Sequence, residues 1–90
     1  MDYGLTILTL EVETASGEVY RFSIDRQNTV VICPWEDKAY TLISTGPIAI
    51  GLELRGVYKK RTIKGDTHTF KSAKVTNIVA KFSLNQLLVL

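Results

Sequence analysis

The sequence predicts an all-β fold: a small barrel or two-sheet sandwich of six to eight mostly antiparallel strands, with a short C-terminal helix as an option. Three observations predict it. Apolar and polar residues alternate at period two along most of the chain, as in strands with one face in a core. Turn residues interrupt these runs at roughly 8–12-residue spacing. No segment of ordinary helix length carries a helical apolar period, which excludes βαβ architectures. With 90 residues, 46% hydrophobic and 22% charged, the chain reads as a single all-β domain over 1–90, and its composition argues against disorder.

The elements follow in order. Leu8, Leu10 and Val12 alternate with Thr9, Glu11 and Glu13; the phase slips at Ile7-Leu8, which predicts a β-bulge there. Ser16-Gly17 predicts a hairpin into the run Tyr20, Phe22, Ile24. Gln27-Asn28 marks a break. Val30 to Cys33 is a β-branched run that reads as a strand buried on both faces. Pro34-Trp35-Glu36-Asp37 predicts a turn, with Tyr40 starting the next strand. Gly46-Pro47 breaks the chain again, and Ile48, Ile50, Leu52 and Leu54 predict a strand. Gly65-Asp66 fits a two-residue hairpin loop. That loop sets Lys64 opposite Thr67, Thr62 opposite Thr69 and Lys60 opposite Lys71. Ile78, Ala80 and Phe82 predict a further strand. Ser83 to Leu90 reads as a last strand, or as a two-turn helix with Ser83 and Gln86 as its capping box. The whole pattern is compatible, as fold-level analogy only, with an OB-like or an SH3/Sm-like barrel.

Charge is unevenly laid out. The net charge is +2. Residues 1–50 carry three bases against seven acids, and residues 51–90 carry eight bases against two acids. Such asymmetry points to an anionic partner. The bases cluster on the predicted hairpin near Val57 to Val75, which reads as a ribbon basic on both sides and projecting into solvent. Arg55, Lys59, Lys60, Arg61, Lys64, Lys71 and Lys74 are its candidate phosphate contacts, with Tyr58 and Phe70 as stacking faces for unpaired bases. The competing reading is that these lysines only guard a sheet edge against aggregation.

Other chemistry is sparse. One cysteine, Cys33, excludes an internal disulfide and reads as a buried, inert thiol. His68 is the only histidine and reads as an exposed strand residue. One His and one Cys give no metal-ligand set, and no catalytic constellation or cofactor motif assembles. Gly51 and Gly56 have P-loop spacing, but Val57-Tyr58 follows where Lys and Ser or Thr are needed. Trp35, in a turn, either caps a barrel end or anchors a partner.

The expected function is a non-enzymatic binding module contacting nucleic acid, single strands favoured, through residues 55–74. The alternative is a homo-oligomeric protein-interaction, accessory or inhibitory module using Trp35 and the apolar tail Leu87, Leu88 and Leu90. An acidic protein is the other partner expected of the basic hairpin. No run of ~18 apolar residues predicts a membrane span. The start lacks a basic leader, and a cytoplasmic protein is expected.

Overall fold

The computed structural model describes residues 5–24, 28–60 and 65–85. Among them are six strands: β1 (Leu5–Thr14), β2 (Val19–Ile24), β3 (Thr29–Ile32), β4 (Tyr40–Thr45), β5 (Glu53–Lys59) and β6 (Thr67–Asn85). Each pairs antiparallel with the next, and β6 returns to β1, giving a closed barrel in simple meander order. The described residues contain no helix. The sequential order separates this barrel from the OB-fold, whose strands follow a Greek key.

Closure depends on β6. Its 19 residues pair with β5 through Thr67–Lys74 and with β1 through Val75–Asn85. A strand this long stays in the barrel only if it coils, and register shifts on both flanks, at Glu53/Arg55 and at Glu13/Thr14, supply the extra twist. Where the β5 ladder is interrupted, the Leu54 N–H donates to Ser72 Oγ at 3.0 Å, so this buried donor is satisfied. The Val75 N–H donates to the Leu52 carbonyl at 2.8 Å and the Ala15 N–H to the Lys74 carbonyl at 2.8 Å. The middle of β6 is therefore gripped from both sides.

The core follows from the alternation. Val12, Tyr20, Phe22, Val31, Cys33, Leu54, Tyr58, Phe70 and Val75 are buried. Phe70 is the hub of an aromatic cluster, with Tyr20 stacked at 5.3 Å, Tyr58 at 6.2 Å and Phe22 at 6.5 Å. Its cross-strand partner is Gly56. A Cβ built there would lie 2.4 Å from the Phe70 ring and 3.0 Å from the Ser44 carbonyl oxygen. Gly56 is thus the space into which the Phe70 ring folds, as when an aromatic covers a strand glycine.

Several sequence expectations are corrected. The ladder of β1 with β6 runs without interruption from Leu5 to Glu13, so no bulge sits at Ile7-Leu8. In β3 only Val31 is fully buried; Val30 and Ile32 are half-buried on the other face. Residues 46–52 form a loop, with Ile48 packed on the core and Ile50 exposed, because Gly51 turns the chain at φ +93°. The strand begins only at Glu53. The Ser16-Gly17 hairpin stands as read, with the Gly17 N–H donating to the Thr14 carbonyl at 2.8 Å. At the C-terminus the strand reading holds through Asn85. Gln86 to Leu90, including Leu87, Leu88 and Leu90, lie outside the described residues.

Candidate functional site

The β5–β6 register decides which side chains face out. A Gly65-Asp66 two-residue loop would set Lys71 opposite Lys60; in the structure Lys71 lies opposite Arg55. Thr69 lies opposite Val57 and Thr67 opposite Lys59. The connection is longer, closed by the Lys60 N–H donating to the Asp66 carbonyl at 3.0 Å. The offset of five residues is odd, and an odd slip exchanges the two faces of a strand. The ribbon is therefore not basic on both sides. Leu54, Gly56, Tyr58, Phe70 and Ser72 face the interior, and Arg55, Val57, Lys59, Thr67, Thr69 and Lys71 face out. The described hairpin strands are barrel wall, not a free finger.

Burial corrects the stacking assignment. Tyr58 is 3% exposed and Phe70 5% exposed, so neither ring offers a face to an unpaired base. Burial also pushes the Tyr58 hydroxyl pKa up. Tyr20, deeper in the cluster, is pushed up to about 12, by burial first and by the Glu18 carboxylate second. Cys33 is buried as expected, and burial foremost, then Glu36, pushes its thiol up to about 11. A thiol held that high is protonated at neutral pH and a poor nucleophile.

The outer wall carries the charge. Arg55 and Lys71 are cross-strand partners, Lys74 lies opposite Glu53, and Lys59 lies between Thr41 and Thr67. Among the described residues one carboxylate serves this group. Glu53 Oε1 is 2.8 Å from an Arg55 guanidinium nitrogen and 3.9 Å from Lys71 Nζ. The Arg55 hydrogen bond, then Lys71, hold the Glu53 pKa below the usual carboxylate range. No carboxylate among the described residues closes an ion pair with Lys59 or Lys74. Beside the charges runs a shallow open groove across β4, β5 and β6, with Ser44, Val57 and Thr69 on one side and Arg55 and Lys71 on the other.

Lys60 belongs elsewhere. The loops after β1, β3 and β5 share one end of an antiparallel meander, and there Lys60 Nζ pairs with Glu36 Oε2 at 2.9 Å. Tyr40 Oη donates to Glu36 Oε1 at 3.3 Å, and Lys60 Nζ lies 5.6 Å from the Tyr40 ring centre. His68 stacks on Tyr58 at 5.6 Å, with Nε2 3.5 Å from Asp66 Oδ1. The contact is too long for a good hydrogen bond, and His68 Nε2 is otherwise buried without a partner among the described residues. Trp35 follows Pro34 in a turn closed by the Glu36 N–H donating to the Cys33 carbonyl at 3.0 Å. Its indole meets Tyr20 edge-on at 5.9 Å, interplanar angle 88°. It is still 53% exposed, so it both closes the barrel end and presents a surface. Arg61 and Lys64 lie outside the described residues.

The Glu36–Lys60 clasp joins two loops 24 positions apart, and no sequence spacing announces it. Its pH dependence has a definite sign. The Lys60 hydrogen bond holds the Glu36 pKa below the usual carboxylate range. A carboxylate depressed in the folded state stabilises above its unfolded pKa, and that stabilisation is lost as pH falls through the folded pKa. Glu36→Gln is therefore expected to lower the urea midpoint at pH 7, and the gap to wild type should close as pH falls below the ordinary carboxylate range and through the lowered Glu36 pKa. A gap that persists in acid would show that packing, not charge, sets the effect.

The chain is thus a small meander barrel whose outer β5–β6 wall is cationic and whose opposite-sign groups lie largely elsewhere. No protein-family model, curated protein or solved structure matches it. Its function has to be argued from the wall and the barrel end themselves.

Proposed function

We propose that this protein is a non-enzymatic, cytoplasmic binding module that holds an anionic polymer, nucleic acid foremost, on the outer face of β5 and β6. One observation carries the reading: among the described residues, Arg55, Lys59, Lys71 and Lys74 stand on that wall against one carboxylate, Glu53. Lysines, arginines and threonine hydroxyls are the groups that grip phosphate oxygens. With Tyr58 and Phe70 inside the barrel, contact runs through the backbone of the polymer and owes nothing to those two rings.

A second reading has its own observation. Trp35 packs edge-on against Tyr20 yet is half-exposed, and a rigid aromatic held in the open loses little freedom on anchoring a protein partner. This supports a protein-interaction, accessory or inhibitory module, with self-association through the apolar C-terminus as its simplest case.

Fluorescence anisotropy of a labelled oligonucleotide across a salt series tests the first reading. Binding is expected to weaken with a log–log slope of about −2 to −3, for four cations at about −0.7 each on a single strand, less what Glu53 already neutralises. Absence of binding at low salt to single strand, duplex and heparin alike would rule it out.

A further inference from the structure

We infer that the polymer taken by this wall is one unpaired nucleic-acid strand, lying lengthwise along β5 and β6 with its phosphates on the cations and its bases turned toward β4. The inference rests on the reading above and adds the form of the ligand and its path.

Width comes first. The cations sit on two neighbouring strands, which are about 4.8 Å apart in a sheet. That stripe is wide enough for one phosphodiester chain. A duplex presents two such chains across a groove about 6 or 12 Å wide, and among the described residues the wall has no second stripe to meet the other.

The flanks differ in sign. On the β1 side, the hairpin carrying exposed Glu13 and Glu18 reaches β6 through the Ala15 N–H to Lys74 carbonyl bond of 2.8 Å. Acid beside the stripe repels a second phosphate chain. On the other side β4 carries no charged residue over Tyr40–Thr45. It offers Ile43, 51% exposed where the β4 ladder is interrupted, and the shallow groove lined by Ser44, Gly56 and Val57. An uncharged lane of methyl and hydroxyl groups beside a cationic one matches a single strand, charged along one side and apolar along the other.

Spacing agrees. Outward residues repeat along a strand at about 6.6–6.8 Å, twice the rise per residue, close to the phosphate spacing of an extended single strand. Thr67, Thr69 and Lys71 form one such row on β6, and Lys59, Val57 and Arg55 its neighbour on β5.

The test uses the full chain at low salt with three probes: an oligothymidylate of about 16 nucleotides, a duplex of the same length, and heparin. The single strand is expected to bind at least about tenfold tighter than the duplex. Ile43→Ala, a surface change, should weaken single-strand binding about threefold and leave heparin binding unchanged. Duplex binding as tight as single strand, or an Ile43→Ala variant with unaltered single-strand affinity, would overturn the inference while the polyanion reading stands. Failure of all three probes to bind would remove both.

Discussion

Replacing Phe70 with alanine is expected to cost about 3–5 kcal/mol of folding stability, the largest loss from any single truncation in this barrel. The ring is 5% exposed and touches Tyr20, Phe22 and Tyr58. Removing it leaves a cavity in the centre of the aromatic cluster, and its partner Gly56 has no side chain with which to fill the gap. A domain of this size has about 5–14 kcal/mol in total, so the melting temperature should fall on the order of 15–30 °C. Urea denaturation followed by tyrosine and tryptophan fluorescence measures it. Phe70→Leu, which keeps most of the volume, should fold and retain wild-type affinity for polyanions. A Phe70→Leu variant that folds normally and loses binding would return this ring to the interface.

How much of this was legible in the sequence depends on what each feature rests on. Alternation and turn residues are local, so the all-β class, the Ser16-Gly17 hairpin, the Pro34 turn and the break at Gly46 could be read directly. The β5–β6 register is not local. Gly65-Asp66 resembles a tight hairpin loop, but what fixes the pairing is the Phe70 ring packing over Gly56, fourteen positions away. A register wrong by an odd number mixes inner and outer residues. It made a half-buried wall look basic on both faces and put Tyr58 and Phe70 in solvent. The cations Arg55, Lys59, Lys71 and Lys74 were visible as a cluster; their segregation to one side, and the carboxylate of Glu53 among them, were not. Loop 46–52 was misread for a similar reason. Its alternating isoleucines imitate a strand, and only the positive φ of Gly51 and the Val75–Leu52 hydrogen bond show why the chain turns there.

The central claim is that the outward cations of β5 and β6 hold the polymer. The triple change Lys59→Glu, Lys71→Glu and Lys74→Glu addresses it with little risk to the fold, since none of the three lies in the buried core. It turns three attractive contacts into three repulsions and leaves Trp35, Phe70 and the Glu36–Lys60 clasp intact. Because phosphate neutralisation supplies most of sequence-independent affinity, the loss should be at least about 100-fold at roughly 50 mM salt. Anisotropy titration of the folded triple variant against the wild type, with oligothymidylate as probe, gives the answer. The account predicts that binding disappears into background; a triple variant that keeps the wild-type affinity would contradict it.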